Sequence, residues 1–214
     1  MANFYGLFNP ENRFWSFMEK IMNLCVLGFL WALFCLPVVT AGAATSALFA
    51  YTLKLSADEE GYVWKSFIRS FRENFCQATV LWLGMLAGGG ILALDFYICR
   101  FITVARPVRM ALFFALISLS LVYLLTILYI FPLLAFYRLS LKKIVPHAFI
   151  MSMGNLFVSV TILVIYVLAA LLTSFSPLLF MVWFAIASFF ASGFFRHVFE
   201  KYLPSEEESD EILQ

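Results

Sequence analysis

The stretch LPVVTAGAATSALF, residues 36–49, decides how this chain is arranged. An apolar run of lipid-facing residues precedes it. A proline, a threonine and a string of very small side chains then stand where more Leu and Phe would be expected. Three readings fit: a helix that stops at a membrane surface, a loop that dips back in, or the turn of a hairpin that crosses again. The rest of the chain has to choose between them.

Composition fixes the solvent first. Of 214 residues, 64% are apolar and 13% charged, and 26 are Phe. A water-soluble domain needs far more polar side chains than this to cover its surface, so the surroundings must be lipid. Several runs reach the roughly 20 apolar residues that a helical crossing needs. Short segments alternating apolar and polar, the mark of a β-barrel, are absent. The sequence therefore predicts an all-α, polytopic helical membrane protein. The first twenty residues lack the basic start, short apolar core and small-residue site of a cleaved signal, and they are rich in interfacial aromatics such as Phe4, Tyr5, Phe8 and Trp15.

Five spans are plain, at about 14–36, 79–99, 111–134, 149–172 and 177–195. Asn9-Pro10 reads as an N-cap with proline at the first helical position. Pro37 ends the first span, because proline lacks a donor and disfavours helix in the residue before it. Thr40 suits the N-cap of a second helix, 40–55. Between them, VWKSFIRSFRENFCQA (63–78) repeats Trp64, Phe67, Ile68, Phe71 and Phe75 at helical spacing, with Lys65, Arg69 and Arg72 mostly on other faces. This predicts an amphipathic helix at the cytoplasmic face that runs on into the next span. The end, 204–214, carries five acids and reads as a solvated tail.

Lys and Arg concentrate on cytoplasmic loops, and this weighs the doubtful segment. With five spans, Arg13 and Lys20 join Arg100, Arg106 and Arg109 outside. With six, only those last three stay outside, and both termini are cytoplasmic. Six spans fit better. Sixteen residues reach about 24 Å, enough where the bilayer thins locally. LPVVT then becomes an outer hairpin turn, with Pro37, Thr40 and Gly42 as turn and packing residues and Pro132 in a like role further on. A re-entrant segment is the alternative.

Chemistry is sparse. The chain holds no GxxxxGK[ST], HExxH or GxSxG, and no assembled nucleophile–base set. His147 and His197 read as interfacial polar residues. Cys25, Cys35, Cys76 and Cys99 show no CxxC spacing and read as apolar packing residues. No catalytic residue, cofactor or metal site is expected, and a net charge of +1 gives no sign of nucleic acid. Asp95 is the one acid within a plain span, near Arg100. Asn155, with Ser152 and Ser159 at helical spacing, reads as interhelical hydrogen bonding. Asp95 and Asn155 would be the polar sites if the chain were a transporter.

LPVVTAGAATSAL (36–48), WKSFIRSFRENFCQATVLW (64–82), YIFPLLAFY (129–137) and SGFFRHVFEKYLP (192–204) resemble successive patterns of the YesL-like family of bacterial membrane proteins. The family often has a basic residue directly after YIFPLLA, whereas here Phe136 and Tyr137 precede Arg138. The resemblance carries no catalytic residues. It implies a setting in the bacterial cytoplasmic membrane beside carbohydrate ABC importers. The expected function is a non-catalytic accessory subunit that binds the importer's permease subunits through Trp64, Lys65, Phe67, Ile68, Arg69, Phe71, Arg72 and Phe75. An autonomous small-solute transporter or channel is the alternative.

Overall fold

The structure is a computed structural model that describes residues 13–59, 61–101, 105–137, 140–175 and 179–202. The expected cap at Asn9-Pro10, the aromatics before residue 13, Arg138, Pro177 and the acidic tail lie outside the described residues. Among the described residues seven α-helices follow in order: α1 (Arg13–Cys35), α2 (Ala41–Leu55), α3 (Val63–Phe101), α4 (Arg106–Phe136), α5 (Leu141–Gly154), α6 (Leu156–Phe175) and α7 (Phe180–Lys201). Six of them are long and apolar enough to cross a membrane, α2 only when the short 3-10 turn Val38–Thr40 before it is included.

The opening stretch is a hairpin turn. Pro37 takes an extended backbone and α1 stops at Cys35 before it. Thr40 occupies the N-cap position of α2 but does not cap it with its side chain. Its backbone is already helical, so the hydroxyl turns back and reaches the carbonyls of Phe34 (2.5 Å) and Pro37 (2.8 Å). Thr40 thus satisfies one carbonyl in the last turn of α1 and that of Pro37 in the turn, a correction to its expected role.

α2 is the centre of the bundle. Small side chains let α1, α3, α4 and α7 all pack on it, and twelve of its fifteen residues are buried. A helix apolar on all sides belongs in such a place, and without a hydrophobic drive in lipid its hold comes from close packing. Gly42 shows how close: a Cβ there would stand 2.6 Å from Trp82 Cβ and 2.7 Å from the Ala78 carbonyl oxygen. The polar atoms of α2 are satisfied inside. Thr52 and Ser192 of α7 share a hydrogen bond of 2.7 Å, and Ser46 accepts one from Asn74 of α3 at 3.4 Å.

The segment 63–78 is continuous with the span after it, since neither proline nor glycine interrupts residues 63–83. It runs antiparallel beside α2, with Asn74 against Ser46 and Ala78 against Gly42. Further on, α3 and α4 form a hairpin in which Gly88 and Gly89 receive the ring of Tyr123, whose hydroxyl donates to the Met85 carbonyl. This hairpin reaches well past the α1–α2 turn, which meets α3 at Trp82 through the bond from its indole to the Val38 carbonyl (2.9 Å). Nineteen more residues, about 28 Å of helix, follow to the end of α3 at Phe101.

Two boundaries differ from expectation. The span expected to begin near Phe149 begins at Leu156. Gly154 and Asn155 break the helix, and Asn155 leaves helical geometry (φ −128, ψ 54). Residues 141–154, of which 141–148 were expected to lie between spans and 149–154 to open the next span, form a separate helix, α5. It is amphipathic, with Ile144, Ala148, Met151 and Ser152 buried. Pro132 sits inside α4 and is buried there, so its role is packing within a helix.

Candidate functional site

Charge gathers where α2 ends and α3 begins. α2 closes with a left-handed residue at Asp58 (φ 57), its amide bonded to Leu55, while the Glu59 amide reaches back to the Lys54 carbonyl. Two such bonds around one left-handed residue make a Schellman stop. Glycine usually fills that position, but Asp tolerates it. Asp58 is held from α1 by Lys20 at 2.5 Å, and Arg196 of α7 donates to the neighbouring Ser56 carbonyl at 3.4 Å. Three helices are therefore latched to one corner.

The Lys20 hydrogen bond and charge hold the Asp58 carboxyl below its usual range. A depressed folded value favours the folded state above the ordinary Asp range near 3.9, and that contribution fades as pH falls through the lowered folded value. Thermal unfolding in detergent should therefore show an acid-side loss at low pH that Asp58→Asn reduces. Equal acid sensitivity in the two proteins would remove Asp58 from the account. The effect is small, because the pair is solvated.

Three adjoining hollows line this end. One of about 340 Å³ lies among Lys54, Glu59, Phe136, Arg196 and Glu200. A second, of about 390 Å³, lies between the end of α2 and the start of α3, among Tyr51, Lys54, Glu59, Tyr62, Lys65 and Arg69. The third, about 410 Å³, is a flank of α3 formed by Trp64, Lys65, Ile68, Arg69, Arg72 and Glu73. Arg69 pairs with Glu73 at 2.8 Å, and Lys65 rides 5.2 Å from the centre of the Tyr62 ring.

The residues expected to form a docking face divide in two. Trp64, Lys65, Arg69, Arg72 and Phe75 point outward, with Trp64 57% exposed. Phe67 is fully buried and Phe71 half-buried, both with their rings edge-on to Phe34 of α1. Ile68 is half-buried against the core. Phe67 is spent on holding α3 to α1 and leaves the docking set. Helical spacing marked an apolar face correctly, but α1 and α2 already cover that face.

The other named residues lie apart from this corner. Asp95 is half-buried on the far part of α3, forms no ion pair among the described residues, and lines none of the hollows above. Asn155 caps the α5–α6 break: its side-chain amide donates to the Met151 carbonyl and to the Tyr202 hydroxyl, both at 3.2 Å. The Ser159 hydroxyl meets the Ser152 carbonyl at 2.8 Å and the Tyr129 hydroxyl at 3.0 Å. These contacts tie α4, α5 and α6 together, as the sequence spacing suggested. No group of three His, Cys, Asp or Glu stands close enough to hold a metal among the described residues.

Sequence reading missed the two lysines that matter most to the corner. Lys54 looked like the tail of α2 and Lys20 like part of α1. Only the antiparallel packing of α1, α2 and α3 brings Lys20 to Asp58 and Lys54 to Lys65.

No curated protein and no solved structure matches this chain. A family model described as "Protein of unknown function, DUF624" matches residues 24–96, the stretch that holds the second half of α1, all of α2, the corner residues Lys54, Asp58, Lys65 and Arg69, and α3 as far as Phe96, and there the chain is similar to that family.

Proposed function

We propose that this chain is a non-catalytic accessory subunit of a carbohydrate ABC importer in the bacterial cytoplasmic membrane. It docks on the permease subunits through the outer flank of α3. One observation carries the reading: Arg72 and Glu73 are exposed beside the middle of α2, a helix at the centre of an apolar bundle. Ionic side chains at membrane depth are costly against lipid and are covered by protein or water. Trp64, exposed at the end of the same flank, is the kind of anchor on which interface energy concentrates. The resemblance to YesL-like proteins supplies the partner class. The concentration of Lys and Arg at this end supports cytoplasmic termini. Binding there would stabilise the permease pair or bias it between its inward and outward forms.

Purification of the tagged protein in mild detergent should bring down the permease subunits. The double variant Trp64→Ala/Arg72→Glu should lower the co-purified fraction about tenfold or more, the loss of one interface anchor. Recovery of the protein without any permease subunit would end this reading.

A further inference from the structure

We propose that the hollow between the end of α2 and the start of α3 binds the phosphate of an anionic phospholipid. Lys54 lies in the last turn of α2 and Lys65 in the first turn of α3. The hollow therefore opens where two apolar helices end, which is headgroup level for a protein in a bilayer. Three cations, Lys54, Lys65 and Arg69, face a single lining carboxylate, Glu59. Arg69 is shared with Glu73, whereas neither Lys54 nor Lys65 has an acid within ion-pair distance among the described residues. Ser66 adds a hydroxyl to the wall.

The flanking aromatics fit the same depth. Tyr62 is 80% exposed and Trp64 57%, and such rings settle at the membrane–water boundary. A phosphodiester set in the hollow would meet both lysines, while the acyl chains run down the apolar side of the bundle. A zwitterionic headgroup brings its own cation to the same place and gains less from the two lysines. Clustered basic residues at a membrane surface favour anionic lipid for this reason.

The test uses purified full-length protein in detergent, titrated with phosphatidylglycerol or phosphatidylcholine, with bound lipid counted by native mass spectrometry. Phosphatidylglycerol should be retained and phosphatidylcholine not. Lys54→Gln/Lys65→Gln should weaken phosphatidylglycerol binding about thirtyfold, as expected for two surface cations. Lys54→Arg/Lys65→Arg should retain it, and Arg100→Gln/Arg106→Gln, at the end of α3 and the start of α4, should leave it unchanged. Both lysines are exposed, so the glutamine variant should elute and unfold like the parent. Equal retention of the two lipids, or undiminished binding in the glutamine variant, would overturn the proposal. Displacement by excess inorganic phosphate would replace the lipid with a free anion. None of these readings depends on whether a permease is bound.

Discussion

Gly42→Leu is expected to leave no folded protein in detergent, and Gly42→Ala to cost about 1–3 kcal/mol, the usual range for overpacking. The obstacle is one of position. A Cβ at residue 42 meets the Ala78 carbonyl oxygen and the Trp82 Cβ, which belong to the α3 backbone and to the root of a side chain. Neither can rotate away, so α2 and α3 must part along their whole contact. Trp82 would also be drawn from the Val38 carbonyl, loosening the hairpin turn. Gly90→Ala is the matching control. Nothing lies within 4 Å of a Cβ there, and alanine gains about 1 kcal/mol of helix propensity over glycine. Unfolding temperatures read in the same detergent should therefore move in opposite directions. A Gly42→Ala protein as stable as the parent would show that α2 is not held at this distance.

Tyr129→Ala is expected to cost about 3–5 kcal/mol, as for other large aromatic truncations in a packed core. Tyr129 is fully buried, edge-on to Phe195 at 5.0 Å. Its hydroxyl meets Ser159, so the residue joins α4 to both α6 and α7. Tyr129→Phe separates ring from hydroxyl. Ser159 keeps the Ser152 carbonyl, so only one hydrogen bond is lost, worth about 1 kcal/mol. Thermal unfolding of the two variants should rank phenylalanine near the parent and alanine far below. If phenylalanine proved as damaging as alanine, the hydroxyl contact would outweigh the ring.

The helical class and the number of helices long and apolar enough to cross a membrane were legible, because a lipid-facing helix must be apolar over a length that no other element needs. Counting Lys and Arg also favoured a second helix after Pro37, and α2 lies there. What periodicity cannot show is which of two apolar surroundings a face meets. Phe67 and Phe71 have the spacing of a membrane-facing stripe, yet Phe34 of α1 takes them. Trp64 and Arg72, a few residues away, remain outside. The helix at 141–154 was hidden for a related reason. Lys142, Lys143 and Pro146 dominate its sequence, while its buried side is only Ile144, Ala148, Met151 and Ser152. The corner of Lys20, Lys54 and Lys65 depends on contacts between three helices, and no local pattern announces it.

The hydrogen bond between Thr52 and Ser192 has a consequence for biosynthesis. Its partners stand 140 residues apart, and the second arrives only with the last helix. A growing chain that has released α1 to α6 therefore holds α2 with Thr52 lacking Ser192, left only its own-helix bond to the Phe49 carbonyl, and with one wall of its seat missing. Until α7 enters the bilayer, α2 is the segment a membrane protease or insertion chaperone would meet as unfinished. A premature stop before Phe180 should thus yield a chain that is cleared, even though α1 to α6 have been made.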